Sequence, residues 1–271
     1  MFAIISDIHG NLEALQAVLA DIEERGVKEI VCLGDVIGYG PNPRECLDLV
    51  IERCRVCLMG NHDHAVLYEP TNFNSAAERA AYWTRQVLET ETDRERRNRR
   101  WAFLGRLPVR VKESDLLYVH ASPRRPINEY IFPEDVFTNP QKVLANFERL
   151  DGRLCFVGHT HQPGVFLDDP YFDPPNELPD SPFYEVEDEA AIINVGSVGQ
   201  PRDRDPRASY VVIHNRENGD ARESLVAAAL TCTVREVEFV RVEYDIDKTV
   251  AKIAAEQALD DMLGQRLYDG R

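Results

Sequence analysis

The chain has no long uninterrupted apolar run, which argues against a membrane-spanning helix. It also has no basic amino-terminal segment followed by a cleavage site. Met1-Phe2-Ala3-Ile4-Ile5-Ser6 reads instead as a buried strand, so no signal peptide is expected and a cytoplasmic location is assigned. Cysteine is sparse. The six present fall mostly in apolar strand-like settings, such as Cys32, Cys57 and Cys155, which fits reduced thiols better than a disulfide framework. Cys54 and Cys57 form a CxxC, but no second Cys pair or His pair follows at zinc-site spacing, so neither zinc nor redox chemistry is assigned there. Positive charge is short as well, with 31 Lys and Arg against 47 Asp and Glu and a net charge of −16. Such a surface repels nucleic acid and anionic membranes in general. It does not exclude a phosphate substrate, because metal ions and a few local arginines can invert the field inside one cleft. Internal repeats and low-complexity tracts are absent.

What is present suits an α/β protein. With 271 residues, 44% of them hydrophobic, the chain can bury one large core and is expected to form a single domain over 1–271. Residues 2–6 read as a strand, followed by a helix over 12–25 with Leu12, Leu15, Val18, Leu19 and Ile22 on one face. Strand Glu29–Leu33, a helix near Arg44–Arg53 and strand Arg55–Met59 continue the alternation, which implies parallel strands with right-handed crossovers. Residues 75–105 read as one or two charged helices, 108–113 and 115–120 as a hairpin, and 141–150 as a helix before strand Leu154–Val157. Strands are then expected at 163–167, 191–195, 208–214 and 234–244, with a last helix near 247–264. Asp168–Glu189 is rich in acids and prolines and has no Lys or Arg. It reads as a solvated excursion or as a flap shaping substrate access. Arg94–Arg100 holds five arginines, either a solvated helix face or an anion-recruiting patch.

The residues with chemistry to offer sit where the expected strands end. Asp7, His9 and Asn11 follow the first strand, Asp35 the second, and Asn61-His62-Asp63 the third. His120 ends a hairpin strand, and His159 and His161 follow another. In an open α/β sheet the carboxyl ends of the strands form the binding crevice. Five segments therefore deliver Asp, His and Asn side chains to one rim, and Gly10, Gly34, Gly60 and Gly158 allow sharp turns beside them. A lone His after a strand is usually structural. Five of the chain's seven His in such places, three of them beside Gly or an acid, point together to a metal site of mixed carboxylate, imidazole and amide donors.

The ordered blocks SDIHGN, GD, GNHD, VHAS and GHTH resemble the calcineurin-like metallophosphoesterases. GDVIGYGPNP, INVGSVGQPRD and RVEYD are similar to the bacterial branch of predicted phosphodiesterases and diadenosine-tetraphosphatase-like proteins. The resemblance covers Phe2 to about Asp245 and implies a two-sheet αββα sandwich. It also implies two divalent transition metal ions, with Mn, Fe, Zn, Co and Ni all compatible. By that pattern Asp7, His9 and His161 hold one ion, Asn61, His120 and His159 the other, and Asp35 bridges both. Two metals about 3.5–4 Å apart clamp a phosphoryl group and acidify a bridging water, whose hydroxide attacks phosphorus in line. His62 protonates the leaving oxygen, with Asp63 orienting and charging its imidazole or, alternatively, serving as a turn or cap residue.

Arg124 and Arg202 are candidates for a phosphate oxygen, or for surface salt bridges. His64 is expected beside the site, His214 in a structural role, and Asn11 at a helix cap or near the metals. The arginine that protein phosphatases of this superfamily carry after the second-strand aspartate is missing from Val36-Ile37-Gly38-Tyr39-Gly40, which weakens that reading. The expected activity is hydrolysis of a small phosphodiester or nucleotide. Dinucleoside polyphosphate hydrolysis and phosphomonoesterase activity are the enzymatic alternatives, and a non-catalytic scaffold of the same fold is the third. Against the scaffold, all seven ligand positions and His62 are intact.

Overall fold

The computed structural model describes residues 1–215 and 234–271. Its strands are β1 (Phe2–Ile5), β2 (Ile30–Cys32), β3 (Val56–Cys57), β4 (Arg110–Glu113), β5 (Leu116–Val119), β6 (Leu154–Val157), β7 (Gly164–Leu167), β8 (Tyr171–Asp173), β9 (Phe183–Glu185), β10 (Ala191–Asn194), β11 (Ala208–Asn215) and β12 (Val234–Val242). The helices are α1 (Leu12–Glu24), α2 (Pro43–Arg53), α3 (Asn61–Leu67), α4 (Ser75–Glu89), α5 (Arg94–Leu104), α6 (Asp135–Thr138), α7 (Pro140–Phe147), α8 (Ile246–Ala255) and α9 (Asp261–Asp269). One sheet runs β3-β2-β1-β11-β12-β9 and the other β4-β5-β6-β10-β7-β8. β1, β2 and β3 are parallel, as their alternation with α1 and α2 requires, and β5, β6 and β10 form the parallel centre of the second sheet.

Period-two side-chain alternation turns these sheets into an αββα sandwich. Ile4 of β1, Val31 of β2, Tyr118 of β5, Phe156 of β6 and Val211 of β11 fill the space between the sheets. Their neighbours Ala3, Ile5, Cys32 and Tyr210 face outward against Leu15, Val18 and Ile22 of α1 and Leu47 and Val50 of α2. Leu117, Val119, Cys155 and Val157 do the same on the other side, against Val143 of α7. The Asn11 side chain caps α1 by accepting from the Ala14 N–H. Among the described residues no helix is long and apolar enough to cross a membrane. Cys54 and Cys57 are free thiols, and no candidate metal cluster among the described residues includes a cysteine; Cys232 lies outside them.

Three stretches differ in detail from expectation. The carboxyl-terminal stretch is two helices, because Asp260 starts α9 by accepting from the Met262 N–H and Leu259, Leu263 and Leu267 bury against Ile253 of α8. The acidic segment 168–189 crosses between the sheets: its β8 pairs with β7, its β9 pairs with β12, and Leu178 and Val186 bury between the sheets. In the arginine run, Arg94, Arg96 and Arg99 are exposed, but Arg100 is buried. Its guanidinium donates to Asp48 at 2.9 and 2.6 Å and to Glu91 at 2.8 Å, tying α5 to α2.

Phe156 is fully buried and stacks on Tyr118 with centroids 5.9 Å apart. Phe156→Ala is expected to lower unfolding free energy by about 3–5 kcal/mol, and Ile4→Val by only ~0.5–1.5 kcal/mol. Urea unfolding midpoints check both, and equal losses would contradict the inter-sheet core described.

Candidate metal centre

Five strand-end turns meet at one rim of the sandwich. Asp7, His9, Asp35, His159 and His161 all have positive φ, at 53°, 49°, 51°, 64° and 60°. Non-glycine residues enter this region uncommonly, Asp and His more readily than most. The turns hold because they bond to one another: the Asp7 N–H donates to Gly34 O, the His9 N–H to Asp35 O and the Gly158 N–H to His120 O. The space is tight. A Cβ on Gly158 would lie 2.2 Å from Asp7 Oδ2 and from Ser6 Oγ.

Asp7 and Asp35 are both buried, and each divides its oxygens in the same way. Asp7 Oδ2 accepts the His159 backbone N–H at 2.9 Å, while Oδ1 faces His161 Nε2 at 3.1 Å and His9 Nε2 at 3.7 Å. Asp35 Oδ1 accepts the His62 backbone N–H at 2.8 Å, while Oδ2 faces His120 Nε2 at 3.4 Å and His9 Nε2 at 3.7 Å. His9 Nε2 and His161 Nε2 are 3.2 Å apart, and Asn61 Oδ1 lies 3.1 Å from His120 Nε2. Donor atoms of Asp7, His9 and His161, and of Asp35, His120 and His159, lie within 4.8 Å of one another. His9, Asp35 and His62 meet the same measure.

The donor set fits divalent ions. His161 Nδ1 faces the Gln200 carbonyl at 2.6 Å, and a carbonyl only accepts, so Nδ1 carries the proton and Nε2 presents its lone pair. Asp7 Oδ1 and His159 Nε2 are buried without a hydrogen-bond partner, as atoms reserved for another ligand would be. Burial pushes His159 down to about 3. Burial, with Arg202 nearby, pushes His161 down to about 4, so both imidazoles are neutral and able to coordinate. Burial disfavours the charged form of His120, but Asp35 and Asp7 more than offset it and lift that group to about 9.

The other residues singled out in the sequence divide. The His62 imidazole packs against His9, Tyr39 and Phe73, with centroids 4.8, 4.3 and 4.6 Å away. Asp63 does not bond that imidazole. Its carboxylate accepts the backbone N–H groups of Gly60, Val36 and Ile37 at 3.1, 3.1 and 3.3 Å, so it closes the first turn of α3 back onto the cap residue Gly60 and joins the third-strand turn to the second. The Arg124 guanidinium is held by Glu129, which Ser122 and Asn146 fix in place. Arg202 does stand at the site. Its guanidinium donates to Gln200 Oε1 at 2.8 Å and lies 5.9 Å from the Tyr39 ring centroid, with Nε buried and unpaired. Asn11 caps α1 and donates to Gly199 O, and His214 pairs across strands with Glu238 at 3.0 Å. His64 lines a cavity beside Asn61 and His159.

Tyr39, Phe73, Tyr130, Arg125 and Gln200 were not picked out from sequence, although they stand at or beside the site. Only Tyr39 left a local signal there, the Gly-Tyr-Gly that allows its own positive φ of 60°.

Comparison with known proteins agrees with this geometry. Residues 1–163 match the calcineurin-like phosphoesterase family. The chain is 38% identical to an uncharacterized protein of Methanocaldococcus jannaschii over 281 residues, covering 100% of this chain and 98% of that one. A solved metallophosphoesterase from Sphaerobacter thermophilus has a TM-score of 0.77 at 36% identity, over 100% of this chain and 98% of its own. A hypothetical protein from Pyrococcus horikoshii, at 19% identity and TM-score 0.70 over 100% and 98%, shares the fold.

Because a methyl at Gly158 collides with the Asp7 carboxylate, Gly158→Ala is expected to lower bound metal although it removes no donor. Asp35→Ala, which deletes the carboxylate between His9 and His120, should lower metal content further than His161→Ala. Elemental analysis after loading and desalting checks the series, and wild-type metal content in Gly158→Ala and Asp35→Ala would refute the assignment.

Proposed function

The chain belongs to the calcineurin-like phosphoesterase family and is a metal-dependent phosphoester hydrolase; on that premise we propose that it is a phosphodiesterase with a two-ion centre. Asp7, His9 and His161 would hold one ion, Asn61, His120 and His159 the other, with Asp35 shared. The observation that carries this is the position of Asp35 Oδ2, 3.7 Å from His9 Nε2 and 3.4 Å from His120 Nε2, between the two halves of the donor set. Bound ions supply positive charge that polarises the phosphoryl group and acidifies water.

The chain's own residues do the rest. Arg202, with its buried unpaired Nε, is placed to take a phosphoryl oxygen. Tyr39 and Phe73 pack on His62 and exclude water from its imidazole. His62 Nδ1 is shut in against Gly38, where a Cβ would lie 2.5 Å away, which leaves Nε2 to hand a proton to the leaving oxygen. Burial pushes His62 well below its ordinary value, against the pull of Asp35. An arriving phosphate adds negative charge and favours the protonated form. Asp63 acts through the backbone, fixing the turn from which Asn61 and His62 project.

The second-strand turn, Val36-Ile37-Gly38-Tyr39, supplies no guanidinium to a dianionic monoester. Bis-p-nitrophenyl phosphate should therefore be cleaved at least as fast as p-nitrophenyl phosphate. A strong monoester preference that disappears in Arg202→Ala would reverse the assignment.

His62→Ala should keep its metals yet slow alkyl esters by about 10²–10⁴-fold, and p-nitrophenyl esters far less, since their leaving group departs readily as an anion. Metal content together with turnover against leaving-group pKa tests this. Uniform slowing, or loss of metal, would make His62 a positioning residue or a ligand instead.

A further inference from the structure

Between the loop after α3 and the loop after β5 lies a cavity of about 380 Å³, a small-ligand size. Asn61 and His159 are in its wall, so it opens onto the candidate metal centre. Phe73 lines it and packs on His62 at 4.6 Å. Tyr130 lines it too, stacked on His159 at 3.9 Å and 25° and on Phe132 at 5.2 Å and 6°. The cavity thus has aromatic surface both on its His62 side and on its His159 side.

Arg125 completes the set. It is exposed and lines the same cavity, and among the described residues no carboxylate lies within 4.0 Å of its guanidinium, while its neighbour Arg124 is held by Glu129. In a chain of net charge −16, a guanidinium left without an anion beside a metal centre is a seat for negative charge brought by a ligand.

We infer that this cavity is the leaving-group subsite and takes a planar heteroaromatic group carrying an anionic group of its own, that is, a nucleotide. The inference rests on the phosphodiesterase reading in one respect: His62, against which Phe73 packs, marks the side from which the leaving oxygen departs. Water adds to phosphorus and the bond from phosphorus to the leaving oxygen breaks. That oxygen takes the His62 proton, and the proton lost by water restores the imidazole. The base of the departing nucleotide lies against Phe73 and Tyr130, and its remaining negative charge pairs with Arg125.

Calorimetric titration of the manganese-loaded protein with AMP, adenosine and inorganic phosphate tests the subsite directly. Arg125→Gln, at an exposed position, should weaken AMP about tenfold or more and leave adenosine unchanged. Phe73→Leu should weaken AMP and adenosine alike, and neither substitution should alter phosphate affinity. Wild-type protein binding AMP no more tightly than phosphate, or AMP affinity unmoved by both substitutions, would overturn the inference. Turnover of bis-p-nitrophenyl phosphate by the wild-type sample separates the two readings. Its absence would sink the phosphodiesterase assignment and leave the binding result standing, whereas turnover without the AMP preference would sink the subsite alone.

Discussion

Two buried carboxylates constrain the whole rim. An ionised Asp removed from water is tolerated only when its oxygens are matched by hydrogen bonds and positive charge. Asp7 and Asp35 divide their oxygens in the same way, one on the backbone amide of a distant turn and the other among imidazoles, where Asp7 Oδ1 keeps no hydrogen-bond partner of its own. The first oxygen joins strands: Asp7 links the turn after β1 to the turn after β6, and Asp35 links the turn after β2 to the start of α3. Asp63 adds a third such link, from α3 back to Val36 and Ile37. The groups that assemble the rim are thus also groups of the candidate metal centre. Burial and the neighbouring Asp35 push Asp63 up to about 7.

Most of the architecture was legible because hydrophobic period and chemistry coincided. The parallel strands followed from apolar runs ending in Gly-Asp, Gly-Asn or Gly-His, and the structure brings those ends together at one rim. Asp63 was harder to read. Its place after His62 invites a carboxylate–imidazole pair, but the helical turn aims its oxygens at amides, a choice made by backbone direction and not by residue order. Arg124 and Arg125 show the same limit. Adjacent and chemically identical, they differ because Glu129, fixed by Ser122 and Asn146, reaches only one of them. Phe73 and Tyr130 were invisible for a further reason: they come from loops with no periodicity, and only the fold brings each beside a histidine of the site.

The distribution of charge resolves the apparent conflict between an acidic chain and an anionic substrate. Many of the arginines are neutralised locally, as Arg100 is by Asp48 and Glu91 and Arg241 by Asp203. Arg202 and Arg125 are exceptions among the described residues, and both stand beside the centre or the cavity that opens onto it. The remaining acidic surface discourages non-specific association with nucleic acids, while cationic groups gathered at one cleft can still attract an anion at short range.

The crossover between the sheets also bears on how copies of this molecule meet. Among the described residues, β8 and β9 each end their sheet, on the side where 168–189 passes from one to the other. An end strand with unpaired amides is a template for strand addition by another chain, the route to edge-to-edge aggregation. Here each is only three residues long; β8 is bracketed by Pro170 and Pro174, and β9 is preceded by Pro182 and followed by Glu187, Asp188 and Glu189. Proline withholds a donor and like charges repel an approaching copy, so the excess of acid and proline in this segment disfavours strand addition at this end of each sheet.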